Sequence, residues 1–135
     1  MVTREDLESF LIRMDLDYEE VDEGMFLIRG KNSGLPLVVH YADNLLLIRM
    51  KLLDMPVDGE DVTQLYRMLL ELNATDVVHG AYGIEDGDLI LSDTLELETL
   101  DFLELQASME SIEIAAATHM DRIRALAGTP ATAEG

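Results

Sequence analysis

The spacing of the apolar residues changes along the chain, and this change constrains the fold more than any other feature. Near the N-terminus, apolar residues recur at intervals of three and four, the period of a one-sided helix: Leu7, Phe10, Leu11 and Met14. Thr3 can cap this helix, with Asp6 in the capping-box position. The sequence therefore predicts an amphipathic first helix of about 12 residues.

The next part of the chain has the composition of β-strands. No strand is assigned to the acidic stretch 15–23, but three apolar runs follow it: Met25 to Gly30, Leu35 to Tyr41 and Leu45 to Leu52. The segments between them, 32–34 and 42–44, contain Asn, Ser, Gly and Asp, which favour tight turns. We therefore expect three neighbouring antiparallel strands.

A second helix and a hairpin come next. Pro56 ends the third strand, since proline cannot donate a hydrogen bond to a sheet, and we expect a helix from Asp58 to about Asn73. Two further strands, at 77–84 and 89–97, flank a turn in which Gly87 can supply a positive φ. The pattern predicts a β-hairpin after the second helix.

The last helix is the longest predicted element. Thr99 is expected to cap it, and it extends to about Ala127 before Gly128 ends it. The element order is then α-β-β-β-α-β-β-α. Because the connections within each group of strands are short, we expect an α+β fold in which helices flank a twisted, mostly antiparallel, five-stranded sheet.

Length and charge restrict the possible functions. The chain has 135 residues, so we expect one domain at residues 1–128 and a disordered tail at residues 129–135. The 28 acidic and 9 basic residues give a net charge of −19, which repels nucleic acids and anionic lipids. Cysteine is absent, and no apolar stretch is long enough for a signal peptide or membrane span. These features favour a cytoplasmic protein that binds neither nucleic acid nor membranes.

The sequence offers no catalytic or metal-binding motif. His40, His79 and His119 fall on three different predicted elements, without a second ligand at a suitable spacing. The acidic run that starts at Asp15 fails as a calcium loop, because Glu20 and Phe26 occupy the positions that require a glycine and a glutamate. We therefore expect a protein that is not an enzyme and holds no cofactor or metal.

Four of the nine basic residues are expected to share one face of the sheet. The run Leu27-Ile28-Arg29-Gly30-Lys31 nearly repeats as Leu47-Ile48-Arg49-Met50-Lys51. Because side chains alternate along a strand, the two basic residues of each run point to the same side. The candidate partner-binding residues are Arg29, Lys31, Arg49 and Lys51. The alternative is a solvated face on which the lysines discourage edge pairing.

The last helix carries apolar residues on more than one side. A regular alternation of three and four aligns one set, which we interpret as the seam of a homodimer: Met109, Ile112, Ala116, His119 and Ile123. A second apolar side runs along the first half of the helix. The alternative interpretation is a kinked helix that packs wholly within its own chain.

The element order, the acidity and one segment resemble a known family. Leu70-Glu71-Leu72-Asn73-Ala74 leads into Gly80-Ala81-Tyr82-Gly83-Ile84 and then Leu89-Ile90-Leu91. In these features the chain is similar, over about residues 3–127, to the YbjN-like bacterial proteins, which share the fold of the type III secretion chaperones. The resemblance implies a dimer without catalytic residues. The chaperones of this fold bind extended segments of effector proteins through apolar patches and exposed sheet edges.

Two functional hypotheses follow from the sequence. The first is a non-enzymatic, dimeric protein-binding module with a chaperone-like or adaptor role, which receives a partner segment in a groove or by strand addition. The alternative is a regulatory protein that senses a small ligand or ion between the helices and the sheet, where His79, Tyr82 and Tyr66 would converge. An enzyme would require a carboxylate or histidine with a strongly shifted pKa in a cleft.

Overall fold

The computed structural model describes residues 1–56 and 60–128. The elements in chain order are α1 (Arg4–Arg13), β1 (Tyr18–Asp22), β2 (Met25–Arg29), β3 (Pro36–Ala42), β4 (Leu45–Asp54), α2 (Glu60–Thr75), β5 (Ala81–Glu85), β6 (Asp88–Glu96) and α3 (Phe102–Ala127). The predicted helix start at Asp58 and the predicted tail at 129–135 lie outside the described residues.

One antiparallel sheet contains all six of these strands, in the order β1-β2-β3-β4-β6-β5. The predicted α+β fold with an antiparallel sheet is confirmed, but the sheet has six strands and not five. The strand that the sequence did not reveal is β1, within the acidic stretch. Four of its five residues are exposed, so it lacks the apolar alternation that marks a half-buried strand.

The core lies between one face of the sheet and the three helices. Alternate residues of the central strands point into it, and the helices contribute their apolar sides. Its largest fully buried side chains are Phe26, Leu7, Leu11, Ile28, Leu37, Leu46, Ile48, Met50, Leu65, Leu89, Leu91 and Leu97. The strand residues that alternate with them lie on the opposite face, which is the outer face of the sheet.

The helix ends show how well local capping rules apply. The capping box of α1 is confirmed, because the Asp6 N–H donates to the Thr3 hydroxyl at 3.1 Å while the Thr3 N–H donates to the Asp6 carboxylate at 3.0 Å. Gly128 ends α3 as predicted. The predicted cap of α3 at Thr99 is wrong, since the carboxylate of Asp101 accepts the Glu104 N–H at 2.8 Å and makes Asp101 the N-cap.

The region between α2 and β5 departs further from the prediction. The helix continues past Asn73 to Thr75, and the strand begins only at Ala81. Gly80 has a φ of +88°, which is outside the β region and ends any extended conformation before Ala81. The residues 77–80 therefore form an irregular connection, and His79 lies in it and not on a strand.

Candidate functional site

The two edges of the sheet differ in whether their backbone groups have partners. At β5, the Asn73 side chain from α2 takes the place of a neighbouring strand: its oxygen accepts the Tyr82 N–H at 2.7 Å, and its amide nitrogen donates to the Tyr82 carbonyl at 3.2 Å. Both backbone groups of Tyr82 are thereby satisfied from outside the sheet. This edge is closed at Tyr82 by a side chain.

Among the described residues, no backbone partner contacts the outer side of the β1 edge at Tyr18 and Glu20. The Arg29 N–H donates to the Asp17 carbonyl at 3.0 Å, so Asp17 turns its backbone groups towards β2. Because these groups alternate along an antiparallel strand, Tyr18 and Glu20 turn theirs away from β2, towards the outer side of the sheet edge. This edge can accept hydrogen bonds from, and donate them to, an added strand.

Acidic side chains protect the β1 edge against pairing with other strands. The strand and its flanks are acidic, and two arginines neutralise part of this charge. Arg4 pairs with Glu20, with a distance of 3.0 Å between Arg4 Nε and Glu20 Oε2, while Arg29 lies 3.6 Å from Asp17 and 3.7 Å from Glu19. Hydrogen bonds from Arg4 and from the Gly24 N–H lower the pKa of Glu20. The edge therefore keeps a net negative charge.

An apolar pit opens beside the start of β1, between the end of α1, the end of β2 and α3. Its volume is about 160 Å³. Apolar side chains form its walls: Met14, Leu16, Ile28, Leu37 and Met109. Its polar lining includes Arg29, Lys31, Glu110 and Glu113. Mostly apolar walls with a small number of polar groups are the usual composition of a binding pocket.

Glu113 fixes one side of this pit to the turn between β2 and β3. Its carboxylate accepts the Ser33 N–H at 3.1 Å and the Ser33 hydroxyl at 3.0 Å. The carboxylate also lies against Gly30, where a Cβ atom would overlap it. A larger residue at this position would require the end of the Glu113 side chain to move, so the observed position of this carboxylate depends on Gly30.

The four predicted partner-binding residues separate into two pairs. Arg29 and Lys31 line the pit, although Lys31 lies beyond the end of β2. Arg49 and Lys51 lie on β4, on the same outer face as Arg29. Arg49 contacts Glu85 at 3.3 Å, and Lys51 contacts Asp54 at 2.8 Å and Asp88 at 3.3 Å. The structure brings only the first pair to the pit.

The five residues predicted to form a dimer seam are all buried within the chain's own core: Met109, Ile112, Ala116, His119 and Ile123. They face the sheet and the other helices, as in the alternative interpretation of a helix packed on its own chain. The large apolar residues of α3 that are exposed are Leu103 and Ile114, on other sides of the helix. Dimerisation itself stays a prediction, and any second copy must contact other residues.

A groove between α2 and β5 is the apolar surface that the sequence did not reveal. Tyr66, Leu70 and Ile84 line it, with 41%, 69% and 51% of their surfaces exposed. Its volume is about 370 Å³. Leu70 and Ile84 are ordinary apolar residues of a helix and a strand, so only the tertiary arrangement shows that they share an exposed groove.

The three residues predicted to converge around a small ligand do not share one cavity. Tyr66 and Tyr82 line the α2–β5 groove, whereas His79 lines a separate cavity of about 370 Å³ beside Asp76 and His119. Within the described residues, no group of three His, Asp or Glu side chains is arranged to hold a metal ion. None of the helices in the described part of the chain is long and apolar enough to cross a membrane.

The class of protein follows from the match to a family model. The CesT_Tir_1 model, which represents a family of type III secretion chaperones, matches residues 2–129, and the chain belongs to this family. No curated protein matches the chain by sequence.

Solved structures show the same fold. A chain of the ExoU–SpcU complex from the type III secretion system of Pseudomonas aeruginosa is 15% identical, with a TM-score of 0.67, and the match covers 90% of this chain and 97% of that one. YbjN from E. coli is 15% identical, with a TM-score of 0.64 and coverages of 89% and 92%. A chain of the HopA1–SchA chaperone–effector complex is 17% identical, with a TM-score of 0.62 and coverages of 85% and 90%.

Proposed function

We propose that this protein is a chaperone-like, non-enzymatic binding module that holds an extended segment of a partner protein along the β1 edge. The observation that carries the proposal is the open backbone of Tyr18 and Glu20, in contrast to the closed backbone at Tyr82. An added strand would obtain its affinity from main-chain hydrogen bonds and its specificity from alternate side chains. Family membership supports the chaperone-like role.

The pit supports this location. It opens beside Leu16, two residues before β1, so a segment on β1 can place an apolar side chain in it. Arg29 and Lys31 would contact an acidic or carbonyl group next to that side chain. Arg49 and Lys51, the second predicted pair, would contact a partner only where it crosses the outer face towards β4. We therefore expect the first pair to contribute more to binding.

We also infer that two copies of the chain associate through the α2–β5 groove. Its exposed apolar side chains lie next to an edge whose backbone is occupied by Asn73, so a second copy would contact it through side chains. This arrangement leaves both β1 edges of the dimer free for partner segments. The absence of cysteine supports a cytoplasmic location for such an assembly.

The test of the binding mode is a matched pair of variants, Glu20→Pro and Glu20→Ala. Both lack the carboxylate that pairs with Arg4, but only proline also lacks the outward N–H. Each variant is used to capture partners from a lysate of the native cells, and the captured proteins are identified by mass spectrometry. We expect wild type and Glu20→Ala to capture one partner in stoichiometric amounts, and Glu20→Pro to lose it.

Two double variants then test the role of the pit. Arg29→Gln with Lys31→Gln is expected to weaken capture of that partner, whereas Arg49→Gln with Lys51→Gln should retain it. Urea denaturation of each variant shows whether it is folded. Equal capture by Glu20→Pro and Glu20→Ala would contradict strand addition at β1, and a stronger loss in the second double variant would move the site to the outer face.

A further inference from the structure

The side chains of β1 point alternately to the two sides of the sheet. Tyr18 and Glu20 lie opposite two β2 residues whose side chains are buried in the core, Ile28 and Phe26. They therefore point to the helix side, whereas Glu19, between them, points to the outer face. A segment that pairs with the outward backbone of Tyr18 and Glu20 would place its own side chains alternately on the same two sides.

On the helix side of β1, the charged groups already have close partners within the chain. Arg4 donates to the Glu20 carboxylate at 3.0 Å and lies 3.5 Å from the carboxylate of Glu8. The half-buried ring of Tyr18 occupies the rest of this side, with its centre 6.1 Å from that of the Phe26 ring. An aromatic surface beside a hydrogen-bonded ion pair favours an uncharged neighbour.

The outer side of β1 has more negative charge than its one arginine can neutralise. Asp17 is hydrogen-bonded to the backbone of Arg29 and points to the same face as Glu19, and Asp22 returns to this face opposite Met25, after a bulge. Arg29 lies 3.6 Å from Asp17 and 3.7 Å from Glu19, and these two carboxylate side chains are 78% and 62% exposed. One guanidinium thus faces three carboxylates, and two of them are largely open to solvent.

The position of these carboxylates determines which segment fits the open backbone. Opposite charges directly across two strands stabilise their pairing, and like charges destabilise it. The residues of an added segment that face Asp17 and Glu19 lie two positions apart, and the residue between them faces Tyr18. Basic side chains are therefore favoured at the two outer positions and an uncharged one at the middle position. The net charge of −19 attracts every basic segment, so the spacing is what this edge adds.

We propose that the β1 edge selects extended segments in which Lys or Arg alternates with uncharged residues. The backbone of Tyr18 and Glu20 holds the segment, and the carboxylates of Asp17 and Glu19 select its basic side chains. This inference rests on the proposed addition of a strand at β1 and names the chemistry of the segment that is added.

The test uses two fluorescently labelled peptides of identical composition, Lys-Val-Lys-Thr-Lys-Val-Lys and Lys-Lys-Val-Thr-Val-Lys-Lys. Only the first has lysines two positions apart, so only the first can face both Asp17 and Glu19 with a basic side chain. Fluorescence anisotropy measures their binding to the full chain. We expect the first peptide to bind about threefold more tightly, because it forms one more favourable pair across the strands.

Two charge-reversing variants locate this preference. In Glu19→Lys the preference for the alternating peptide should disappear, because one of its lysines then faces a like charge. Glu71→Lys makes the same change of charge on α2, which packs against β5 at the other end of the sheet, and it should retain the preference. Urea denaturation shows whether each variant is folded.

The variants Glu20→Pro and Glu20→Ala separate this inference from the proposed function. Both peptides should bind more weakly to the proline variant, which lacks the outward N–H. If they do so but bind equally well to wild type, strand addition stands and selection by spacing is wrong. If the alternating peptide binds equally to both Glu20 variants, strand addition and the selection are both wrong. A preference that persists in Glu19→Lys, or an alternating peptide that does not bind wild type, would also overturn the inference.

Discussion

The two edge strands of this sheet are protected by different physical means. At β5, a side chain from α2 satisfies the backbone of Tyr82, so the edge has hydrogen-bonding partners inside the chain. At β1, the outward backbone of Tyr18 and Glu20 is guarded by acidic side chains. Charge discourages pairing between copies of an acidic chain, but a basic or well-fitting segment can overcome it.

This difference explains how one small domain can contact two kinds of partner. An edge whose central backbone groups are already occupied offers its exposed apolar side chains first, whereas an open edge can take up an extended backbone. The chain would thus keep self-association and segment binding on opposite ends of the sheet.

The largest effect on stability is expected from Asn73→Ala. It removes both partners of the Tyr82 backbone, and a poorly solvated N–H and carbonyl without partners lower the free energy of unfolding by about 2–3 kcal/mol. Urea denaturation measures this change. Asn44→Ala, in the exposed turn between β3 and β4, is the control and should change the free energy by less than about 0.5 kcal/mol. An equal effect of the two substitutions would show that the β5 edge does not depend on Asn73.

A smaller effect is expected from a glycine near β1, compared with a glycine on β5. In Gly30→Ala the new methyl group meets the Glu113 carboxylate, which can swing aside but then loses its hydrogen bonds to Ser33, at a cost of about 0.5–1.5 kcal/mol. Gly83→Ala is the matched substitution on β5, where the methyl group has open space. It should leave stability unchanged or raise it by about 0.5 kcal/mol. If both variants lose stability equally, Gly30 has no special role in positioning the pit wall.

Acid should weaken the β1 end through Glu20. The pKa of this carboxyl is lowered by hydrogen bonds from Arg4 and Gly24, so the stabilisation that it provides is present above the unfolded-state pKa of about 4.3 and is lost as the pH falls through the folded-state value. In Glu20→Gln this part of the acid dependence should be absent. Urea midpoints of wild type and Glu20→Gln, measured from pH 6 to pH 2.5, test this prediction. If the two midpoints fall equally as the pH is lowered, Glu20 does not contribute to the acid dependence.

The sequence predicted those parts of the fold that depend on local chemistry. The capping box at Thr3 and the stop at Gly128 involve neighbouring residues, and the alternation of apolar residues in β2 to β4 reflects which face is buried. The sequence did not predict β1, because this strand is defined by its hydrogen-bonded pairing with β2 and not by buried apolar side chains. Its residues have the composition of a solvated loop, and only the register from Tyr18 to Asp22 makes them a strand.

The candidate site was harder to predict for the same reason. Asn73 is a typical helix-stop residue, and nothing in its neighbours indicates that its amide would bind a strand nine residues later. The apolar residues of α3 form a stripe, but the period of the stripe does not say whether it packs on the chain's own sheet or on a second copy. Ile112 and Ile123 are fully buried, so the stripe packs within the chain's own core. A contact between copies must therefore use other residues, such as the exposed ones on α2 and β5.

The smallest effect on stability, and the clearest separation of the two ends, is expected from Leu70→Glu. This side chain is 69% exposed in the α2–β5 groove, so the substitution should change the free energy of unfolding by less than about 0.5 kcal/mol. Light scattering should nevertheless show weaker self-association than in wild type, because each copy would place a carboxylate against the apolar surface of the other. Ile12→Glu, on the exposed side of α1, is the control and should leave the association unchanged. If the Leu70 variant associates like wild type, the contact between copies lies elsewhere, and the β1 edge becomes the next surface to examine.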